Sequence, residues 1–233
     1  ASIAGIPIQG KEFNWNTHVT FSLNRGQVMS LPDGVPAFRP PNSFGFQYGS
    51  GFIEVGHSPS QIRGTLDSAG VGVVRDIGDY QPKFNVGFSN EINIGRFRLY
   101  GLLDWRDGGD VVDISQNVYD ELGTAPDVEA SAIRDSVFNN IGASVYMQDA
   151  SFLKLRELSV SYLLPDAMVH GMFGGRVNAI RAELSGRNLV TWTKYPGLDP
   201  EVSNFGNQNI NRGQDLAPYP PTRSFFFSFD VEF

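Results

Sequence analysis

The 233-residue sequence contains no cysteine, no long apolar run and no excess of basic residues. Without cysteine the chain forms no disulfide and carries no thiolate nucleophile. No apolar stretch approaches the roughly 18 residues that a membrane-spanning helix needs. The formal net charge is −7 and no basic stripe is visible, so we expect no nucleic-acid partner.

Turn residues, in contrast, are plentiful, with 26 glycines and 14 prolines, and 41% of the chain is hydrophobic. This composition is typical of a β-rich chain with many turns. A transmembrane barrel remains open, because its signal is only weak alternation over about ten residues. The sequence begins A-S-I-A-G-I-P, without methionine or a basic leader, and we expect a processed chain or a piece of a longer one.

The last eleven residues, R-S-F-F-F-S-F-D-V-E-F, alternate between an apolar and a mostly polar side. Alternation with period two predicts an extended strand with two different faces. The opposite face carries Ser224, Phe226, Ser228, Asp230 and Glu232. The apolar face carries Phe225, Phe227, Phe229, Val231 and Phe233.

The same alternation recurs along the chain and predicts about eight strands. Clear patterns cover residues 13–24, 84–94, 97–105, 152–163, 180–190 and 225–233, and weaker ones cover 44–55 and 62–74. Gly95 predicts a tight hairpin turn between two of them. Within 152–163 the apolar phase slips by one residue after Leu155, which predicts a β-bulge.

The predicted connections are of two kinds. Short ones follow Ile94 and Leu164, the second with a helical turn at residues 166–173, whereas long polar loops occupy about 106–150 and 191–221. Short turns at one end and long loops at the other are typical of an outer-membrane barrel, with the long loops outside the cell. Aromatic residues near predicted strand ends fit the girdles of such a barrel, namely Trp15, Trp105, Tyr162, Trp192 and Phe233. A soluble β-sandwich shares the alternation and remains the alternative.

Two segments carry a more specific resemblance. The stretches S-F-L-K-L-R-E-L-S-V-S-Y-L-L-P (151–165) and R-A-E-L-S-G-R-N-L-V-T-W-T-K-Y-P-G-L-D-P-E-V (181–202) resemble late barrel motifs of SusC/RagA-like TonB-dependent outer-membrane proteins. Residues 77–105 and 219–233 are similar to that family's hairpin region and chain end. The resemblance runs from about Phe13 to the last residue.

This resemblance implies an all-β fold, namely an antiparallel transmembrane β-barrel. Residues 1–233 would be its C-terminal portion, about eight strands of a 22-stranded barrel, with the plug and N-terminal regions absent. It also implies a location in the bacterial outer membrane. The implied partners are outer-membrane lipid, the barrel-assembly machinery, TonB through the missing N-terminal part, and a SusD-like surface lipoprotein.

The resemblance assigns roles to two sets of residues. The apolar residues of the last strand, Phe225 to Phe233, resemble the signal that the barrel-assembly machinery reads. The second set is the family-motif loop, made of Tyr195, Gly197, Asp199, Pro200 and Glu201. Within it, Asp199-Pro200-Glu201 is interpreted as a turn, because Asp before Pro favours turn initiation. Arg181, Glu183 and Arg187 would face the lumen and pair with neighbouring strands.

No pattern in the sequence predicts an enzyme, a cofactor or a metal centre. Asp107, Asp110 and Asp113 resemble a calcium loop loosely but lack its spacing and closing Glu, and are interpreted as solvated loop carboxylates. The first hypothesis is therefore a SusC-like receptor that imports a nutrient such as an oligosaccharide or peptide. The alternatives are a non-transporting barrel or scaffold of a surface assembly, and a soluble β-rich binding domain.

Overall fold

The computed structural model describes residues 1–41, 43–66, 73–201, 204 and 213–233. The strands are β1 (Ser2–Gln9), β2 (Phe13–Ser22), β3 (Ser50–Gly51), β4 (Gln61–Leu66), β5 (Val73–Asp79), β6 (Phe84–Ile94), β7 (Phe97–Asp107), β8 (Asp110–Asp113), β9 (Met147–Asp149), β10 (Phe152–Leu163), β11 (Ala179–Thr193), β12 (Gln214–Asp215) and β13 (Ser224–Glu232). The α-helices are α1 (Ile114–Glu121), α2 (Val128–Ile141) and α3 (Asp166–Phe173), and two 3-10 helices cover Phe46–Tyr48 and Gly142–Tyr146.

One seven-stranded sheet forms the body of the described structure, in the order β1-β2-β6-β7-β10-β11-β13. Every pair in it is antiparallel. The β6–β7 hairpin turns through Gly95 and Arg96, and Gly95 has a φ of 55°, a conformation that favours glycine. The predicted tight turn is therefore confirmed.

The sheet has two chemically distinct faces that run unbroken across its strands. On the apolar face, one row of partners in register is Ile3, Val19, Phe88, Leu103, Leu155 and Val190. On the polar face, one row is Asn14, Asn93, Arg98, Ser161, Glu183 and Ser228. Many apolar-face side chains are exposed, among them Phe225, Phe227 and Leu184 at 70%, 65% and 57%. In the part of the chain that the structure describes, only α3 packs on this face, at Ile180, and no second sheet covers it.

The predicted β-bulge is confirmed in β10. The register shifts between Leu155 and Glu157 in the pairings with both β7 and β11. Against β7, Leu155 and Glu157 pair with consecutive residues, so Arg156 is the extra residue. Against β11 their partners, Val190 and Arg187, are three residues apart. Beyond the bulge, Leu158, Val160 and Tyr162 return to the apolar face. The bulge therefore places Arg156 and Glu157, which are consecutive in sequence, on the polar side.

The connections are as unequal as the sequence predicts. At one end, the short-turn end, residues 10–12, 95–96 and 164–178 join neighbouring strands of the sheet. At the other, the long-loop end, the connections are residues 23–83, 108–151 and 194–223. The first of these long connections was not predicted as a loop, because its glycine-rich segments were interpreted as two strands of the barrel.

Neither of the two weaker segments forms a strand of the main sheet. Segment 44–55 contains a 3-10 helix and the two-residue β3, and segment 62–74 contains parts of β4 and β5, with 67–72 outside the described residues. The strands β3, β4 and β5 form a separate sheet. The seventh strand of the main sheet is instead β1, which the sequence analysis missed because Pro7 and a register shift between Gly5 and Ile8 break its alternation.

The long loops are more regular than their polar sequences indicate. Residues 108–151 contain β8, α1, α2 and β9, although we expected irregular structure there. The loop core consists of Ile62, Val112, Ile114 and Tyr146, so β4, β8 and α1 pack together. None of the helices in the described ranges is long and apolar enough to cross a membrane.

One arginine joins the two helices of this loop region. Arg134 of α2 donates two hydrogen bonds of 2.7 Å to Asp120 at the end of α1, and two more of 2.8 and 3.0 Å to Asp127. The Asp120 side chain is fully buried and also accepts a 3.0 Å bond from the Tyr146 hydroxyl. Burial alone would raise the pKa of Asp120, but these hydrogen bonds outweigh it and lower the pKa.

Replacing Arg134 by alanine is expected to open the α1–α2 region, because Asp120 would stay buried without its cation. We expect a loss of about 2–4 kcal/mol of local stability. In hydrogen-exchange mass spectrometry of the full-length protein, amides of α1 and α2 should exchange faster, and those of the seven-stranded sheet should not. Glu129→Ala, on the exposed side of α2, is the control. Equal exchange in the two variants would contradict the assignment.

Candidate functional site

The family-motif loop lies where the polar face of the sheet meets the long-loop end. Two basic residues of β10 hold it there, Lys154 and Arg156, through the carboxylates of Asp199 and Glu201. Together with Asp104 of β7, these residues are called the clamp.

Lys154 is the buried centre of the clamp. Its ammonium group donates to both carboxylate oxygens of Asp199, at 2.7 and 2.8 Å, and to Glu201 at 2.5 Å. The Lys154 and Asp199 side chains are only 4% and 6% exposed. A buried charge is tolerated when it is paired and hydrogen-bonded, and both conditions hold here.

Arg156 ties the same loop to the adjacent strand. Its guanidinium donates to Asp104 at 2.9 and 2.6 Å and to Glu201 at 2.7 Å. Burial alone would raise the pKa of Glu201, but hydrogen bonds from Arg156 and Lys154 outweigh it and lower the pKa. Glu201 is therefore held ionised, as a bridge between the two cations.

The predicted turn at Asp199-Pro200-Glu201 is present. The Asp199 carboxylate accepts a 2.8 Å hydrogen bond from the Glu201 backbone N–H, two residues on, and Pro200 is buried. This Asx turn presents both carboxylates of the motif to β10. The segment is thus a turn and also the acidic half of an ion-pair network.

Tyr195 and Gly197 fix the loop upstream of the turn. The Tyr195 ring is buried with Val111 and Ala150, and its hydroxyl donates to the Asp215 carboxylate. A Cβ atom at Gly197 would lie 2.4 Å from Cε1 of that ring. The close approach of backbone to ring explains why this position needs glycine.

A group of buried carboxylates lies next to Tyr195. Asp215 also accepts a 3.0 Å hydrogen bond from the Ser115 hydroxyl, and β12 pairs in parallel with β8, which places Asp215 beside Asp113. Asp113 is 1% exposed and caps α1 by accepting a 2.8 Å bond from the Gln116 backbone N–H. Burial, together with the charges of Asp215 and Asp120, raises the pKa of Asp113 to about 6. Burial also raises the pKa of Asp215.

The interpretation of Asp107, Asp110 and Asp113 as solvated carboxylates is therefore wrong for two of the three. Asp113 is a buried cap, and Asp110 is half-buried and accepts a 2.9 Å hydrogen bond from the Asp79 backbone N–H. Asp107 lies 3.7 Å from the Lys83 ammonium group. Among the residues that the structure describes, no three side chains converge as metal ligands do.

The polar-face residues lie as the alternation predicts. Arg187 of β11 is 3.5 Å from Glu157 of β10, so its predicted pairing with a neighbouring strand is present. Arg181 lies opposite Asp230, and Glu183 lies opposite Ser228. The polar face thus carries charges of both signs.

The C-terminal strand presents its aromatic residues, except Phe226, on the apolar face. Phe227 and Phe229 pack edge to face with ring centroids 4.7 Å apart, and Phe233 is 84% exposed. β13 pairs with β11 on one side, and in the described chain its other edge has no strand partner. This edge can therefore pair with a further strand.

Sequence reasoning missed the basic half of the clamp. Alternation placed Lys154 on the polar side of β10, but nothing in the sequence pointed to Asp199, 45 residues away. One signal could have suggested the pairing, because the basic and acidic residues have the same spacing. The basic pair is K-x-R at Lys154 and Arg156, and the acidic pair is D-x-E at Asp199 and Glu201.

Comparison with curated proteins finds TonB-dependent receptors. No family model matches the chain. TonB-dependent receptor P3 of Formosa agariphila is 28% identical over 286 residues, which covers the whole of this chain and 28% of that protein. Receptor P39 of the same organism is 22% identical over 312 residues, which covers the whole chain and 30% of that protein. Receptor P26 is 35% identical over 103 residues, or 42% of this chain.

Comparison with solved structures finds the same architecture. The RagAB peptide importer in its open-open state has a TM-score of 0.68 at 19% identity, covering 100% of this chain and 28% of that one. Its closed-closed state also has a TM-score of 0.68. This likeness shows the fold, and the chain spans only about 30% of the length of the curated relatives that it matches in full.

These findings confirm the resemblance to SusC/RagA-like TonB-dependent receptors and, with it, the predicted location in the bacterial outer membrane. The mostly antiparallel β-fold is also confirmed. The relatives are named as receptors and importers, which agrees with the expectation of a chain without catalytic activity.

Removing the cation of the clamp is expected to release the family-motif loop. Lys154→Met keeps the length of the side chain but leaves Asp199 buried and unpaired, at a cost of about 3–5 kcal/mol. Amides of residues 194–201 should exchange faster in the full-length protein. The control is Lys194→Met, at an exposed position of the same loop. The double variant Lys154→Met/Asp199→Asn should recover part of the protection, and no difference between Lys154→Met and its control would refute the role of the clamp.

The loop region around Asp113 is expected to lose stability as the pH rises from about 4 to about 6. In this window the folded state retains a proton on Asp113 that the unfolded chain has already released. Unfolding therefore releases a proton, and the stability falls as the pH rises. The loss is at most about 3 kcal/mol and is complete above that window. Asp113→Asn should flatten this dependence while keeping the cap. Hydrogen exchange of β8 and α1, corrected for intrinsic rates, measures it, with the exposed Glu121→Gln as control. Stability that rises through this window would contradict the sign.

Proposed function

We propose that this chain forms part of the barrel wall of a SusC-type, TonB-dependent importer. The apolar face of the seven-stranded sheet contacts outer-membrane lipid, and the polar face lines the lumen. The short-turn end faces the periplasm, and the long loops lie outside the cell. The whole protein takes up a nutrient such as an oligosaccharide or a peptide.

The observation that carries the proposal is the unbroken apolar face. A soluble sandwich would bury such a face against a second sheet about 10 Å away, and none of the described residues forms one. Phe225, Phe227 and Leu184 instead remain more than half exposed. Exposed apolar area on this scale is expected where a membrane or a partner covers it.

The free edges of the sheet support a larger barrel. β1 and β13 each have one strand partner in the described chain. In lipid an unpaired edge would leave backbone N–H and C=O groups unsatisfied, at a cost of several kcal/mol each. Further strands of the same protein would satisfy both edges, in line with relatives more than three times as long. We take the complete barrel to have 22 strands around a plug.

Import requires no bond chemistry from this chain. TonB, acting through N-terminal regions of the complete protein, would move the plug, and a SusD-like lipoprotein would cover the external opening. The clamp would keep the family-motif loop against the wall while substrate passes. Phe225 to Phe233 would serve earlier, as the strand that the barrel-assembly machinery recognises.

Uptake experiments test the transport role. A bacterium that expresses the full-length protein is given a fluorescein-labelled casein digest and, separately, a mixture of labelled oligosaccharides. We expect accumulation of one of them, and its loss when the receptor gene is deleted, when tonB is deleted or when a protonophore is added. Accumulation of both probes that is unchanged by all three treatments would favour a scaffold role without transport.

A further inference from the structure

Helix α3 lies against the outer side of the sheet. Val169 of this helix is fully buried, and it packs with Val177, Ile180 and Leu164. Ile180 lies opposite Val231, and both belong to the apolar face. The helix is therefore seated on the face that the proposed function turns toward lipid, at the short-turn end.

The remaining large apolar residues of α3 are exposed. Met168, Met172 and Phe173 are 53%, 56% and 44% exposed. Met172 and Phe173 follow Val169 by three and four residues, so they share its side of the helix, and Met168 adjoins it. Asp166 and His170 lie on the other flank. The helix thus has one apolar side, of which the sheet covers only Val169.

The level of α3 along the sheet coincides with one rim of the apolar band. Ile180 and Trp192 mark the two ends of this band on β11, twelve residues apart. At a strand rise of about 3.3 Å and a tilt of about 40°, this separation spans roughly 30 Å, the thickness of a hydrocarbon core. The aromatic pair Phe97 and Tyr162, with ring centroids 4.7 Å apart, marks the same rim on β7 and β10.

Basic groups flank the helix on both sides. Arg96 donates to the Leu164 carbonyl oxygen at 2.9 Å and to the Asp166 carboxylate at 3.3 Å, at the start of α3. Arg176 is exposed just after its end. Interfacial helices usually combine arginine at the level of the lipid phosphates with apolar side chains in the acyl region.

We propose that α3 is an interfacial membrane helix, with Met168, Met172 and Phe173 inserted at the acyl boundary of the periplasm-facing phospholipid leaflet. This inference rests on the proposed function, because it requires the sheet to stand in a bilayer. The occupant is lipid because the exposed side of α3 continues the apolar face of the sheet. The helix thereby widens the apolar belt at the lower rim, where β10 and β11 are joined.

Site-directed spin labelling of the full-length protein tests this placement. Single cysteines are introduced in a cysteine-free background and labelled with a nitroxide, at Met168 and Met172 on the apolar side and at Ala167 on the opposite side. The protein is reconstituted in nanodiscs of phosphatidylethanolamine and phosphatidylglycerol. Collisions with oxygen, which enriches in lipid, and with a nickel chelate, which stays in water, are then compared.

Labels at Met168 and Met172 are expected to show at least a several-fold higher ratio of oxygen to nickel collisions than the Ala167 label. A label at Leu184, in the middle of the apolar face, is the positive control. If the Leu184 label is in lipid but the Met168 and Met172 labels meet nickel freely, the inference about α3 is wrong and the proposed function stands. Labels at Met168 and Met172 that meet neither reagent would mean that protein covers α3, which also overturns the inference. A Leu184 label in water would contradict the proposed membrane placement of the sheet, and therefore also the inference about α3.

Discussion

Register is the constraint on which the rest of this structure depends. Side chains alternate with period two, so a slip of one residue in any strand would exchange its apolar and polar faces. At the single site in β10 where charges stand next to each other, the bulge at Arg156 absorbs the extra residue and returns Leu158, Val160 and Tyr162 to the apolar side. Without it, Glu157 would lie on the apolar face. The phase of the whole sheet and the geometry of the clamp are thus set by the same feature.

The loops depend on that geometry in turn. Because Lys154 and Arg156 both point to the polar side, they can meet Asp199 and Glu201 together, and the turn at Pro200 gives the two carboxylates the matching spacing. The family-motif loop and β10 are then joined by buried charges, which water screens only weakly. Burial instead raises the pKa of the neighbouring Asp113 and Asp215. The stability of the clamp therefore falls as the pH drops through the lowered pKa of Glu201, whereas the stability around Asp113 falls as the pH rises.

Much of this architecture could be predicted from sequence, because strand alternation is a local signal. The bulge, the Gly95 hairpin, the helical turn at 166–173 and the faces of the last strand all follow from residues close together in the chain. The misses have physical reasons. The 44–55 and 62–74 segments alternate as barrel strands do but pack into a small loop sheet, and β1 is hidden by Pro7 and an irregular register.

Only the acidic half of the candidate site could be predicted from the sequence. The turn at Asp199-Pro200-Glu201 follows from its own residues, whereas the pairing with Lys154 is a contact over 45 residues that no local pattern encodes. The burial of Asp113 likewise depends on β12, which lies 101 residues further along the chain at Gln214. Contacts of this kind are set by the fold as a whole, and a single sequence does not display them.

A cryo-electron microscopy structure of the full-length protein in lipid nanodiscs tests the central claim most directly. The account predicts that nanodisc lipid surrounds the apolar face, and that further strands of the same polypeptide pair with the free edges of β1 and β13. A second protein layer over Phe225, Phe227 and Leu184, with the sheet outside the lipid density, would contradict it.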